Sequence, residues 1–207
     1  MKVLLINGSP NKEGSTNEAL KIVKDRLKEN NIDSTIFWVG NKAVSGCIGC
    51  GSCLKNEKCF IEDKVNEFLE LAPNYDGFVV ATPVHFSSPS GFILPFLDRV
   101  FYGPKNKIFR LKPLATIAVA RRGGSSSSLD VLNKYGLFAN MIIISSNYWN
   151  MVYGKKKEDV KKDLEGIQTI KVLADNMSYV LNLIQKGNES NIKPKKLEDK
   201  IYTNFIS

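Results

Sequence analysis

Histidine is almost missing: among 207 residues there is one, His85. That scarcity argues against a histidine-based metal site and against a Ser-His-Asp triad, since both draw on imidazole. Arginine is also scarce, with five residues against many lysines. No apolar run approaches the roughly 20 residues of a membrane span. No leader segment is expected ahead of the first apolar run, which Lys2 enters directly. A chain with neither is expected to be soluble and cytoplasmic, with no membrane partner. No cysteine falls outside residues 47–59, which excludes bridges spread along the chain as staples. Two familiar phosphate signatures are missing too. A P-loop places a lysine between its second glycine and Ser/Thr, whereas Gly14 here runs directly into Ser15, and G-x-G-x-x-G is absent. The net charge is +8, with a pI near 9.2. No nucleic-acid motif and no aromatic-interleaved basic stripe accompanies it. Much of the excess lies in Lys155-Lys156-Lys157 and in residues 193–196. These read as solvated faces with a modest attraction for nucleotide phosphates.

What is present begins with residues 2–17. Residues 2–6 form a short apolar, β-branched run, the signature of a strand. Gly8, Pro10 and Gly14 break it, Ser15, Thr16 and Asn17 are helix-capping types, and a helical pattern follows from Glu18. Strand, Gly/Ser/Thr loop and helix N-terminus together make an anion site, where backbone N–H groups, hydroxyls and the helix dipole all favour negative charge. The plain alternative is a βα turn with a well-capped helix.

Further strands are expected over 34–39, 77–81, 114–120 and 141–144. Helices are expected over 18–30, from a cap at Asp63 to just before Pro73, over 92–101, over 129–138, and as one long charged helix over most of 154–185. Five alternations of strand and helix predict an α/β doubly wound fold, a five-stranded parallel sheet with helices on both faces. No linker divides the chain. Residues 1–187 are expected to be a single domain with a cysteine-rich loop at 46–60, and residues 188–207 a tail in which Ile201, Tyr202 and Phe205 pack on a neighbour. Ligands of such sheets bind beyond the carboxyl ends of the strands. The loops at 9–17, 83–91 and 121–128 meet that condition, and their Gly, Ser and Pro content lets backbone approach a ligand.

Arg121 and Arg122 are adjacent in the third of these loops. Arginine gives planar, multi-donor recognition of carbonyls and phosphates, so ligand contact is weighed there against a solvated loop. Tyr148 and Trp149 read as core or interface packing, with stacking on a ligand as the sharper option. Asp98-Arg99 reads as a structural pair.

The cysteines are spaced C-x-x-C-x-x-C-x5-C, at Cys47, Cys50, Cys53 and Cys59. The short intervals let three thiolates fold round one corner of a cubane, with the fourth closing it. Gly46, Gly49 and Gly51 suit the tight turns this needs. Zinc is possible but prefers two separated pairs, and four reduced thiols with no metal is the bland reading.

Gly8-Ser9-Pro10 with Gly14 to Asn17, Thr82-Pro83-Val84-His85-Phe86, and Arg121-Arg122-Gly123-Gly124 together resemble the NADPH-dependent FMN reductase group of flavodoxin-like proteins. The cysteine segment is similar to that of the iron–sulfur flavoproteins within that group, and Tyr148-Trp149-Asn150 also looks familial. The resemblance covers roughly the first 155 residues. It implies an FMN-dependent oxidoreductase. Electrons would come from NAD(P)H or reduced ferredoxin and pass to an unidentified small-molecule or protein acceptor, by way of a [4Fe–4S] cluster on the four cysteines. It implies that Ser9, Asn11, Ser15, Thr16 and Asn17 face the ribityl phosphate. Pro83, Val84, His85 and Phe86 would border the isoalloxazine, largely through backbone, and Arg121, Arg122, Gly123 and Gly124 would cover its other polar edge. It further implies flavin sites near subunit interfaces, in a homodimer or homotetramer. His85 departs from the pattern, which has tyrosine or a similar aromatic there. Two rival readings are an electron-transfer flavoprotein without turnover of its own, and a redox-sensing or zinc-binding interaction module.

Overall fold

The computed structural model describes residues 1–198, 201 and 203, with residues 104–106 described by their backbone alone. Tyr202 and Phe205, expected to pack on a neighbour, lie outside the described residues, and Ile201 is exposed. Five strands form the main sheet: β1 (Lys2–Asn7), β2 (Asp33–Trp38), β3 (Gly77–His85), β5 (Pro113–Ala120) and β6 (Ile142–Ile143), in the order β2-β1-β3-β5-β6 and all parallel. Two short strands bring the total to seven rather than the expected five. β4 (Ser88–Pro89) folds back antiparallel on β3, and β7 (Met151–Tyr153) runs parallel to β5.

Alternation sorts the central side chains into two cores. Val3 and Leu5 of β1, Val79 and Ala81 of β3, and Ala115, Ile117 and Val119 of β5 point to one face. There they meet α1 (Ser15–Glu29), α6 (Lys157–Val160) and α7 (Leu164–Glu189). Leu4, Ile6, Phe78, Val80 and Leu114 point the other way, toward α3 (Lys64–Leu71), α4 (Ile93–Tyr102) and α5 (Ser125–Phe138). The second core is aromatic. Phe37, Phe68, Phe78, Phe96 and Phe109 interlock there, as in Phe68–Phe96, edge to face at 5.3 Å. Strands buried on both faces read as continuous apolar runs, which is why the sequence marks them clearly.

The fifth expected strand, 141–144, forms as the short β6, and the sheet edge continues past it in β7, which the sequence reading did not include. Ile144 N–H reaches Leu114 O, residues 145–150 then loop out, and pairing to β5 resumes where Ala118 N–H donates to Asn150 O. Ser146 Oγ closes the excursion onto Tyr148 O and Asn150 Oδ1, both at 2.7 Å. The long terminal helix is divided as well. Asp163 caps α7 by accepting from Gly166 N–H, and its other carboxylate oxygen accepts from Tyr153 N–H, so one side chain both starts the helix and ties it to β7. The fourth expected helix begins at Ser125 rather than residue 129, because Gly124 at φ 85° makes the turn into it.

Candidate functional site

The first loop is held from within. Gly8 N–H donates to Ala81 O, Ser9 N–H to Asn7 Oδ1 at 3.0 Å, and Asn11 N–H to Ser9 Oγ at 3.1 Å. Trp38 Nε1 donates to Ser9 O at 2.8 Å from the neighbouring strand. The N-cap of α1 is Gly14, whose carbonyl accepts from Glu18 N–H. Ser15, Thr16 and Asn17, expected as caps, therefore fill the first helical turn. Backbone N–H groups in a first turn have no intrahelical acceptor, and they stand at the positive end of the helix dipole.

An open cleft of about 460 Å³ lies over this turn. Ser9, Asn11, Gly14, Ser15 and Thr16 form one wall, Pro83, Val84 and His85 a second, and Val119 with Arg121 a third. The fourth wall is Gly154 to Glu158, including Lys155, Lys156 and Lys157. Hydroxyls, first-turn amides and four cations, against the two carboxylates of Glu13 and Glu158, make a donor-rich surface of net positive charge at the carboxyl ends of β1, β3 and β5. The second and third loops are pinned together: Ser127 Oγ donates to Ser87 O at 2.7 Å. A Cβ at Gly124 would stand 2.6 Å from Ser87 Cα. The hairpin tip is Phe86-Ser87, both with positive φ (52° and 57°), and Phe86 is fully exposed.

The cysteines make a second site. Cys47, Cys50, Cys53 and Cys59 all line one pocket, with α2 (Ser52–Asn56) between the second and fourth and with Gly49 and Gly51 at positive φ. Ile48, Phe60, Ile61 and Leu69 supply apolar wall. Asn66 fixes the far end, its Oδ1 accepting from Cys59 N–H and its Nδ2 donating to Cys59 O at 2.8 Å. Burial pushes the Cys53 thiol up, and the other three cysteines raise it further by repulsion. Among the described residues no three His, Cys, Asp or Glu side chains are grouped to hold a metal ion. By its chemistry alone the donor set suits a sulfur-rich anionic group: four thiols, apolar walls, and on the wall the buried cation Arg99, whose Nε has no partner among the described residues.

The family model described as NADPH-dependent FMN reductase matches residues 1–156. The chain belongs to that family. It is a family of flavin oxidoreductases, and the flavodoxin-like fold agrees. An iron–sulfur flavoprotein of Archaeoglobus fulgidus is 30% identical over 206 residues, covering 92% of this chain and all of that protein. The solved structure of RosB with bound 8-demethyl-8-formylriboflavin-5'-phosphate superposes with a TM-score of 0.72 at 14% identity, over all of this chain and 92% of the other. A flavodoxin, WrbA-like protein from Agrobacterium tumefaciens gives 0.61 at 12% identity, over 88% and 96% of the two chains. At such identities the two structures bear on the fold alone.

For this member of the FMN reductase family, the cleft gathers Ser9, Asn11, Ser15, Thr16, Pro83, Val84, His85 and Arg121. Asn17 is buried and its Nδ2 turns to Glu13 Oε2 at 3.3 Å, so it braces the loop instead of lining it. Phe86, Arg122, Gly123 and Gly124 stand outside the cleft lining. Lys155, Lys156 and Lys157, which read in the sequence as a solvated face with a modest attraction for nucleotide phosphates, belong to the cleft's fourth wall. Tyr148 and Trp149 are not core residues. They stack edge to face at 4.7 Å on the surface excursion, each more than half exposed. Asp98 and Arg99 do not pair. Neighbours in a helix point about 100° apart, and Arg99 turns inward to Asp63 while Asp98 accepts from Tyr135 Oη at 2.5 Å.

Proposed function

We propose that the protein is an FMN-dependent oxidoreductase of the iron–sulfur flavoprotein type, reduced by NAD(P)H or ferredoxin and passing electrons to a small-molecule or protein acceptor. The observation that carries this reading is the cleft, where a first loop that lines it with Ser9, Asn11, Ser15 and Thr16 and not with its Lys12, the hairpin after β3 and Arg121 converge. Ser9, Asn11, Ser15 and Thr16 would take the phosphate through hydroxyls and first-turn amides, with Asn17 bracing the loop. Pro83, Val84 and His85 would border the ring, with Phe86 at the open edge. Arg121 would approach the ring's polar edge, and Arg122, Gly123 and Gly124 would shape the loop that carries it.

Bound there, FMN would supply hydride acceptance and one-electron release. The chain's own contribution is to orient the ring and to screen the phosphate charge. Cys47, Cys50, Cys53 and Cys59 would hold a [4Fe–4S] cluster as a one-electron port. Residues 1–187 would act as one flavin-binding domain, working as a homodimer or homotetramer whose contacts include Phe86, Tyr148 and Trp149.

Anaerobic purification tests the reading. The sample should be yellow and release FMN, not FAD, on acid treatment, and NADPH or NADH should bleach it in stopped flow. Light scattering should give a mass well above 23.1 kDa. A flavin-free preparation that takes up no FMN at micromolar concentration would sink the proposal.

A further inference from the structure

Arg99 lies on α4 in the core, and its side chain keeps 2% of its surface exposed. A charge that deep is costly unless its donors are used. Nη1 donates to Asp63 Oδ2 at 2.5 Å and to Ser45 O at 3.4 Å. Nη2 shares its two N–H groups among Asp63 Oδ1 at 2.9 Å, Ile61 O at 3.0 Å and Cys59 Sγ at 3.2 Å. One guanidinium thus grips both flanks of the cysteine segment and touches one of its sulfurs. The fork with Asp63 is bidentate, the geometry that arginine holds and lysine cannot. Asp63 offsets most of the charge felt at a distance, so what reaches Cys59 is an N–H donor held in place by its neighbours' bonds and shared with them.

We propose that Arg99 is a positioning and potential-setting residue for the group that the four cysteines hold. This rests on the cluster reading above. Reduction adds one electron, and part of that charge spreads onto the cysteine sulfurs. A donor aimed at a sulfur stabilises the more negative state, and hydrogen bonds to the sulfurs are among the main determinants of cluster potential. Arg99 therefore favours the reduced form, and its stiff fork keeps Cys59 in place while it does so.

The test compares wild type with R99K and with the double variant R99M/D63N, each reconstituted anaerobically with iron and sulfide. The double variant removes both charges together, so no buried carboxylate is stranded. Iron, FMN and the one-electron midpoint of the cluster are measured. Full iron in both variants is expected, with a midpoint lowered by about a tenfold change in the equilibrium, or about 59 mV for one electron. The flavin midpoint should stay where it is in wild type. Unchanged cluster midpoints at full iron would overturn the proposal. Loss of iron from both variants with FMN retained would overturn the potential-setting role and leave Arg99 a structural clamp. Wild type that takes up no iron while keeping FMN would overturn the cluster reading and this proposal together.

Discussion

At the scale of single residues, two positions in the pinned loops pull in opposite directions. Gly124 has φ 85° and no room for a side chain beside Ser87. Gly124→Ala should cost about 2–3 kcal/mol, combining the left-handed penalty with overpacking against backbone. It should also weaken FMN, because the loop carrying Arg121 can no longer seat on the hairpin. Phe86 and Ser87 present the reverse case. A two-residue hairpin turn with both φ positive favours Asn-Gly, and a bulky residue there is strained. Phe86→Asn with Ser87→Gly should stabilise the apo protein by about 1 kcal/mol. If Phe86 borders the ring, the same double variant should bind FMN more weakly. Thermal melts and flavin titrations of the two variants separate these effects, and a gain in stability with unchanged FMN affinity would remove Phe86 from the site.

At the scale of elements, α1 and α7 are latched side by side. Arg26 Nε and Nη2 donate to the two oxygens of Asp175 at 2.8 and 2.9 Å, and Asn30 Nδ2 adds a third bond at 2.7 Å. The Arg26 hydrogen bond, ahead of a smaller one from Asn30, holds the Asp175 carboxyl below its usual range even though burial opposes this. A depressed carboxylate contributes stability above its unfolded pKa of about 4, and the contribution is lost as pH falls through the lower folded value. Asp175→Asn should therefore melt below wild type at neutral pH and converge with it at the acid end. Parallel melting curves over the whole range would show the latch to be inert, as many exposed ion pairs are.

The same elements show what the sequence could and could not reveal. Strands buried on both faces were legible because nothing polar interrupts residues 3–6, 78–81 or 114–115. The gap between β6 and β7 was not, because it depends on Asn150 O returning to the edge of β5 after a loop of six residues, a long-range pairing without a local signature. Nor was the inward turn of Arg99, since a charged residue within an apolar helix pattern looks the same whether its partner is one residue away or thirty-six. The three loops of the cleft were legible from their glycines and hydroxyls. The place of the lysine run in the fourth wall was not, because it depends on where β7 resumes.

At the scale of the whole molecule, the two layers differ in how they are tied down. The sheet and its six flanking helices share two continuous cores, whereas residues 41–60 lie in no helix or strand outside α2. The side chains of Arg99 and Asn66 anchor that segment from the aromatic layer. The consequence is a molecule with two clocks for amide hydrogen exchange. Amides of β1, β3 and β5 should exchange only through global opening, while those of residues 41–51 should exchange almost as fast as a free peptide in the iron-free protein. If the four cysteines hold a cluster, loading iron should slow residues 47–51 by orders of magnitude and leave the strands as they were. Strong protection of that segment before any iron is added would mean that the polypeptide closes the pocket by itself. The segment would then be a finished part of the fold, not one that waits for its inorganic half.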